Sequence, residues 1–416
     1  MTASQWLFHA VVTAGSGAHA VGAPGLLAAQ ALARSQLVAA CVPGKPFTSD
    51  SHGARYRASH SITEAPMIKT MLRGGAWLAA TLVLLAAAGY VYYRSLALDE
   101  LPKANPQASV ADLAYLKQAV AQKRGRILAV VSSAERGGPA MKRAGYELTE
   151  LARAYYVFQV NGYEVDIASP QGGKPPERID PDDMGETDYA FLNDPAAQAK
   201  VVNSMALADV DARRYAAVYF VGGKGAMHDL PDNPDVARIV NEVATRGVVG
   251  AVCHGPAALL GVKRADGKAL LAGRRMTAFT NEEELFLVKD ARTRFGFLLE
   301  ERATAEGARF VAGPKYLDNT IVDGRLVTGQ NAWSTWSVAE AMVAALGHRP
   351  VARERSAEEI SVRLLATYHR AGLDAASAEQ AALPRFDKML VLMHSVVAAM
   401  QWRAADAVNL QRLAKG

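Results

Sequence analysis

Short apolar runs alternate with amphipathic stretches between Val110 and Gly347, and this alternation dominates the hydrophobic pattern of the chain. The runs are rich in β-branched residues, which is typical of buried strands, whereas the stretches between them repeat with a helical period. Strands that alternate with helices predict an α/β domain with a doubly wound parallel sheet. The predicted strands include Arg126–Ser132, Tyr163–Ala168, Ala216–Phe220 and Val248–Val252, and a hairpin is predicted over Thr320–Thr328.

The apolar run Val248–Val252 ends at Cys253-His254-Gly255-Pro256, where a helix is predicted to follow at once. Proline is tolerated in the first turn of a helix, so the chain passes from strand to helix through a sharp elbow. Such an elbow lifts its central side chain to the carboxyl edge of a parallel sheet, where α/β proteins place their sites. A helix N-terminus also favours the thiolate form of cysteine. Cys253 is therefore the candidate nucleophile, and a buried structural cysteine is the alternative.

The N-terminal part of the chain follows a different pattern. Residues 1–66 show no sustained period and are interpreted as disordered, or as sequence upstream of the true start. Basic residues then precede the uncharged apolar run Gly74–Tyr93. About 20 apolar residues match a bilayer core, which predicts one transmembrane anchor within residues 67–100 and lipid as a partner. A cleavable signal peptide is the alternative. Basic residues before the run and Asp99-Glu100 after it predict a single-pass protein of a bacterial inner membrane, with its domain in the periplasm.

The remaining boundaries follow from composition. Residues 101–123 are interpreted as a linker and a first helix, and residues 124–348 as the α/β domain. Residues 349–416 form a helical C-terminal extension, because Ser356 and Glu359 match a capping box and a broad apolar helical face follows. We expect this extension to be a helical hairpin that covers the domain or joins two copies in a homodimer. A peptide-binding groove is the alternative.

Composition and charge narrow the classes of function. The chain has 416 residues, of which 50% are apolar and 21% are charged, so a sizeable globular core is expected. Its formal net charge is +5, and its Lys and Arg residues do not cluster as they do in a nucleic-acid-binding protein. The two cysteines, Cys41 and Cys253, have no zinc-ligand spacing and cannot form a disulfide framework. No metal, cofactor or nucleic acid is therefore predicted as a partner.

Four other places in the domain are candidates to act with Cys253. The loop Gly222–Gly225 ends the strand beside the elbow, and its backbone N–H groups suit an oxyanion hole. His254 suits a base or an acid, although it is also compatible with a surface histidine. The acidic run Glu282–Glu284 follows a strand end, where a carboxylate would orient His254, but acidic residues are common in first helical turns anyway. Glu150 lies within a predicted helix, and a solvated helix face explains it equally well.

Several separated motifs resemble the ThiJ/PfpI superfamily, which has a class I glutamine-amidotransferase-like fold, and in particular its glyoxalase-III and heat-shock-chaperone branch. AVCHGPA (Ala251–Ala257) is similar to the family elbow, and FVGGKGAMHDLPDNP (Phe220–Pro234) is similar to its glycine loop. Further matching segments are GYEVDIASPQGGKPP (Gly162–Pro176), MTAFTNEEE (Met276–Glu284) and IVDGRLVTGQN (Ile321–Asn331). The resemblance covers about residues 124–348 and implies a flavodoxin-like sheet with a nucleophile elbow.

The resemblance also implies roles for individual residues. Cys253 takes the nucleophile position and His254 that of the triad histidine. Glu284 falls where this branch places the acidic member, by spacing from the Phe-Thr pair at 279 and 280. Glu150 takes the position of the family glutamate that hydrogen-bonds the nucleophile.

The glycine loop has implied roles too. Gly223 and the elbow backbone fall at the family's oxyanion donors, and Gly222 and Gly225 flank Gly223 in the substrate-binding loop. Two positions depart from the family pattern. Lys224 stands where relatives commonly carry His, and Asn331-Ala332-Trp333 stands where relatives usually have Asn-Pro-Ala.

The activity implied by the resemblance is that of a glyoxalase-III-like lyase of the D-lactate dehydratase type. Such an enzyme converts 2-oxoaldehydes, for example methylglyoxal, to 2-hydroxy acids without glutathione or a cofactor, or removes glycation adducts from proteins. A holdase-type stress chaperone and a cysteine amidase or peptidase with the same site are the alternatives. Glutamine hydrolysis is not expected, because the His-x-Glu pair of the amidotransferase relatives does not follow the elbow.

Overall fold

The computed structural model describes residues 65–95, 103–136, 144–383 and 385–415. Helix α1 (Ala65–Ser95) belongs to one compact unit, and the described residues from 103 onward belong to another. The interpretation of residues 1–66 lies almost entirely outside the described residues.

Helix α1 contains the apolar run that predicts a membrane anchor, but that prediction is wrong. Within the described parts of the chain, no helix is both long enough and apolar enough to cross a bilayer. The run Gly74–Tyr93 consists largely of Ala, Gly and Tyr, which supply less apolar surface than Leu or Ile, and the same helix includes Lys69 and Arg73. The predicted anchor over residues 67–100 and the predicted single-pass location in an inner membrane are therefore wrong. The predicted lipid partner depends on that anchor and has no support.

A seven-stranded sheet lies at the centre of the second unit. In chain order the strands are β1 (Gly125–Val130), β2 (Tyr146–Glu147), β3 (Tyr163–Ser169), β4 (Glu177–Arg178), β5 (Met205–Ala206), β6 (Ala217–Phe220), β7 (Val248–Val252), β8 (Arg275–Met276), β9 (Arg309–Phe310), β10 (Thr320–Asp323) and β11 (Leu326–Gly329). The sheet order is β10-β11-β7-β6-β1-β3-β5, and every neighbouring pair is parallel except the hairpin β10–β11. The predicted α/β class, parallel sheet and hairpin are confirmed.

Helices connect these strands and continue beyond them. They are α2 (Leu148–Val160), α3 (Glu186–Leu192), α4 (Pro195–Val202), α5 (Ala226–Asp229), α6 (Pro234–Ala244), α7 (Asn281–Leu287), α8 (Ala291–Phe295), α9 (Leu299–Ala305), α10 (Thr335–Ala345), α11 (Ala357–Gln380), α12 (Lys388–Met400) and α13 (Ala404–Lys415). The predicted first helix at Val110 is instead two short 3-10 turns, Val110–Asp112 and Ala114–Gln118. Helix α11 has a kink at Gly372, where the backbone is not helical.

The core forms two layers, because successive residues of a strand point to opposite faces of the sheet. In β1, Ile127 packs in the layer that holds α2 and α10, whereas Leu128 packs in the layer that holds α6. Both side chains are fully buried. The sheet is therefore covered on both sides, as a doubly wound fold requires, and the loops at its carboxyl edge are left to form a site.

Candidate active site

The elbow at Cys253 has a strained backbone that the neighbouring segments hold in place. Cys253 has φ of 59°, in the left-handed region that a side chain with a Cβ rarely adopts. Its N–H donates to the Gly329 carbonyl at 3.0 Å, and its carbonyl accepts from the Phe279 N–H at 2.9 Å. A 3-10 helix, Gly255–Leu259, follows in place of the predicted α-helix. The strain places the thiol at the carboxyl edge of the sheet, where its side chain is 7% exposed.

His254 lies between the thiol and a carboxylate. Its Nδ1 is 3.2 Å from the Cys253 sulfur, and its Nε2 is 2.6 Å from Oε2 of Glu284. The Phe279 ring packs against the imidazole, with 4.5 Å between ring centroids. Burial opposes ionisation of Glu284, but the contact with His254 outweighs burial and lowers the pKa of the carboxyl. An ionised Glu284 accepts from Nε2–H, which leaves the Nδ1 lone pair directed at the thiol.

The three consecutive glutamates of α7 have three different environments. Thr280 caps the helix, and Glu283 returns the cap by accepting from the Thr280 N–H at 3.0 Å. Glu282 points away from the core, where its side chain is 72% exposed and pairs with Lys315. Only Glu284 reaches His254. The geometry thus distinguishes Glu284 from its two neighbours, which the sequence pattern alone leaves open.

Glu150 approaches the thiol from the opposite side. It lies in the first turn of α2, is 1% exposed, and accepts from the Gly222 N–H through Oε2 at 2.7 Å. Its carboxyl also interacts with the Cys253 side chain. Burial, followed by the nearby Glu147 carboxylate, raises the pKa of Glu150 well above its ordinary value. A raised pKa favours the protonated form of this carboxyl, which is able to donate a hydrogen bond or a proton.

The predicted glycine loop directs one N–H group at the sulfur. The Gly222 N–H is bound to Glu150, and the Gly225 N–H donates to the Gly145 carbonyl at 2.9 Å. Gly223 instead hydrogen-bonds the Cys253 thiol through its backbone. Gly223 has φ of 92°, and a Cβ there would lie 2.6 Å from the Glu147 nitrogen. No residue with a side chain fits at Gly223 without moving the loop.

Charges and burial around the thiol oppose its ionisation at rest. Burial, and then the Glu150 carboxyl, raise the pKa of Cys253 well above its usual value. Burial also lowers the pKa of Lys224, with Glu284 acting in the opposite direction. A thiol in this state needs a base before it can act as a nucleophile, and His254 Nδ1 lies within reach at 3.2 Å.

The sequence pattern misses two contributors to this arrangement. Phe279 packs on the imidazole of His254, and Glu283 ties α7 to the loop at Tyr316 by accepting the Tyr316 N–H at 2.8 Å. The role of Glu283 could have been predicted, because Thr280-x-x-Glu283 is a capping box.

Among the described residues, no group of three His, Cys, Asp or Glu side chains is arranged to hold a metal ion.

The chain is similar to several known proteins. The model of the DJ-1/PfpI family matches residues 141–345. Glutathione-independent glyoxalase hsp3102 of Schizosaccharomyces pombe is 32% identical over 219 residues, which cover 50% of this chain and 91% of that protein. Glyoxalase 3 of Candida albicans is 31% identical over 213 residues, which cover 49% of this chain and 90% of that protein.

Solved structures give the same result. The crystal structure of glyoxalase III from Candida albicans matches with a TM-score of 0.50 and 28% identity, covering 53% of this chain and 97% of that one. Rapid Encystment Protein 24 kDa of Francisella tularensis matches with a TM-score of 0.50 and 31% identity, covering 53% of this chain and 99% of that one. With a strained cysteine elbow, a family model that spans it, and relatives matched over nearly their whole length, the chain belongs to the DJ-1/PfpI family.

Proposed function

We propose that this chain is a cysteine-dependent, glutathione-independent glyoxalase that converts 2-oxoaldehydes, such as methylglyoxal, to 2-hydroxy acids. The observation that carries the proposal is the convergence of a base and an acid on one thiol. His254 Nδ1 lies 3.2 Å from the Cys253 sulfur, and the Glu150 carboxyl reaches the same side chain from α2. The glyoxalase relatives support a glyoxalase III-like activity for this chain.

The first step forms a hemithioacetal. His254 Nδ1 accepts the Cys253 proton, and the sulfur bonds to the aldehyde carbon while the carbonyl π bond breaks. The new alkoxide lies beside the Gly223 N–H and takes the proton from the imidazolium, so the thiol proton ends on oxygen. The Glu284 carboxylate stabilises the transient imidazolium, because it accepts the hydrogen bond from Nε2 at 2.6 Å.

The second step moves hydrogen from the first carbon to the second. His254 removes the proton from the carbon bonded to sulfur, while protonated Glu150 gives its proton to the neighbouring carbonyl oxygen, and an enediol results. The imidazolium then protonates the second carbon, and Glu150 takes the hydroxyl proton from the first. The product is a thioester of the 2-hydroxy acid, and both side chains return to their starting states.

The third step is hydrolysis. His254 accepts a proton from water as the water oxygen attacks the thioester carbon, and the oxyanion lies at Gly223. The carbon–sulfur bond breaks, sulfur recovers a proton from His254, and the 2-hydroxy acid leaves. The whole sequence uses only side chains of this chain, one backbone N–H and one water.

The test is lactate formation from methylglyoxal without glutathione. Wild type should turn over, and Cys253→Ala should fall to the uncatalysed rate, because the covalent intermediate cannot form. Full turnover by Cys253→Ala would refute the proposal. An aggregation-suppression assay on the same two proteins serves as a control for a holdase, whose activity survives loss of the thiol. An amide substrate that acylates Cys253 would indicate an amidase instead.

A further inference from the structure

A buried arginine lies on the helix that carries Glu150, one turn further along α2. Arg153 is 4% exposed, and its guanidinium is surrounded by acceptors. Its Nη2 is 3.2 Å from Oδ2 of Asp188 and 3.0 Å from the Asp183 carbonyl. Its Nη1 is 2.9 Å from Oε2 of Glu358. These contacts hold the Arg153 guanidinium in place, and through it they restrain helix α2.

The last of these partners comes from outside the family domain. The family model ends at residue 345, whereas Glu358 lies in the first turn of α11, in the C-terminal extension. Ser356 and Glu359 cap that turn through the predicted capping box. The extension therefore reaches a helix of the catalytic core with a charged side chain.

A second buried arginine fixes the start of α11. Arg353 pairs with Glu359 through two hydrogen bonds of 2.6 and 2.7 Å and with Glu340 of α10 at 2.9 Å. Its guanidinium also lies 3.9 Å from the ring centroid of Trp336. Since α10 packs beside α2 on the sheet, these contacts hold Glu358 at a fixed place relative to Arg153.

Titratable groups face Glu150 from its own helix, from the elbow and from β6. Glu147 and Arg153 come from its own helix region, Cys253 faces it from the elbow, and the neutral Tyr219 hydroxyl donates to its backbone carbonyl at 2.9 Å. Arg153 is the cation of this set. Asp188 and Glu358 offset its charge, so loss of Glu358 would leave the positive field at Glu150 and Cys253 less compensated.

We propose that Glu358 is a positioning residue of the active site, through which the C-terminal extension holds Arg153 and thereby sets the place and the ionisation of Glu150. The proposal rests on the acid role given to Glu150 in the proposed function. Burial raises the pKa of Glu358 to about 7, against the pull of Arg153 and with smaller contributions from Asp188 and Asp387, so its charge is present above neutral pH. The pKa of the Cys253 thiol is also raised above its ordinary value.

The test uses the full chain in a Cys41→Ser background, so that Cys253 is the single thiol. Glu358→Gln keeps the shape of the side chain and removes the charge. Its matched control is Glu379→Gln on the same helix, where Glu379 pairs with the exposed Arg363. The readouts are the pH midpoint of Cys253 alkylation by iodoacetamide, and kcat and KM for methylglyoxal across pH.

We expect Glu358→Gln to move the alkylation midpoint to lower pH by roughly half a unit, because an uncompensated Arg153 favours both anions of the Glu150–Cys253 pair. The kcat value should fall about three- to tenfold at unchanged KM, a smaller loss than the roughly 10²–10⁴-fold expected when an acid–base group itself is removed. Glu379→Gln should match wild type in both. Equal midpoints and equal kcat in the two variants, with only a lower melting temperature for Glu358→Gln, would overturn the proposal.

Charge and position are separated by Glu358→Asp. This variant keeps the charge and shortens the reach, so the midpoint should stay and kcat should fall; an unchanged kcat would count against a positioning role. If the Glu358→Gln variant does not fold, Glu358→Asp takes its place in the test. The alkylation midpoint needs no substrate, so it tests the link to Arg153 even if wild type fails to turn over methylglyoxal, which would refute the proposed function alone.

Discussion

The site around Cys253 contains two buried carboxyls, Glu150 and Glu284, and their pKa values are shifted in opposite directions. Glu150 is 1% exposed and Glu284 is 4% exposed, so both are equally removed from water. The pKa of Glu150 is raised by burial and by Glu147, whereas the pairing with His254 lowers the pKa of Glu284 despite its burial. Burial alone therefore does not decide the state of a carboxyl in this site; the partner does.

This difference is compatible with the two roles proposed for these carboxyls. An acid that must donate a proton near neutral pH needs a raised pKa, and an anion that must steady an imidazolium needs a lowered one. The fold supplies both, because α2 carries Glu150 to the thiol and α7 carries Glu284 to His254. Replacing each carboxyl by the neutral amide of the same shape should then have opposite consequences for the pH dependence of stability.

The largest effect on activity is expected for Glu150→Gln. An amide donates a hydrogen bond but cannot exchange a proton, so kcat/KM for methylglyoxal should fall by about 10²–10⁴-fold. The Gln carbonyl should keep the contact with the Gly222 N–H. A steady-state assay, with circular dichroism to confirm folding, measures the loss. Activity within a few-fold of wild type would show that Glu150 only shapes the pocket.

Stability should change in the same variant. Because the folded-state pKa of Glu150 is raised, wild type carries a stabilising contribution at acid pH that is lost as pH rises through that pKa. Glu150→Gln does not titrate, so its melting temperature should fall less than that of wild type as pH increases above 4.5, the ordinary value. Parallel melting curves at every pH would contradict the raised pKa.

A smaller loss is expected for Glu284→Gln, about 10–100-fold in kcat, at or below the lower limit of the acid–base range. The Gln carbonyl still accepts from His254 Nε2–H and keeps its tautomer, but the charge that steadies the imidazolium is gone. Here the stability sign reverses. The lowered pKa of Glu284 contributes stability above 4.5 that is lost as pH falls through the folded-state pKa. Wild type and variant should therefore converge at acid pH and diverge near neutrality, which a melting series across pH would show.

The sequence predicts the regular part of this fold well. Strands such as Val248–Val252 are β-branched and apolar throughout, so periodicity finds them, and Asp323-Gly324 marks the hairpin. The prediction of a membrane span fails for Gly74–Tyr93, because it rests on the length of the uncharged run and neglects how little apolar surface Ala and Gly supply. It also fails at Val110, where local preference for a helix yields to packing of two 3-10 turns.

Within the site, the sequence places Cys253 because an elbow is a local signal. Contacts such as His254 to Glu284 join residues 30 positions apart, and no local pattern reports which of three glutamates will face the imidazole. The capping box at Thr280 nevertheless reduces the choice, since it commits Glu283 to the helix N-terminus. The pairing of Arg153 with Glu358 could not be predicted from a local pattern, because it depends on how the C-terminal extension packs.

The smallest effect on activity is expected for the two other glutamates of α7, and they should differ from each other in stability. Glu283→Gln weakens buried bonds from the Thr280 N–H, the Tyr316 N–H and the Asn331 amide, so unfolding free energy should fall by about 1–3 kcal/mol. Glu282→Gln removes only a pair that is 72% exposed on the glutamate side, and its change should stay within about 0.5 kcal/mol. Urea unfolding measures both. A tenfold loss of kcat in either folded variant, comparable to Glu284→Gln, would mean that the acidic member of the site is not Glu284 alone.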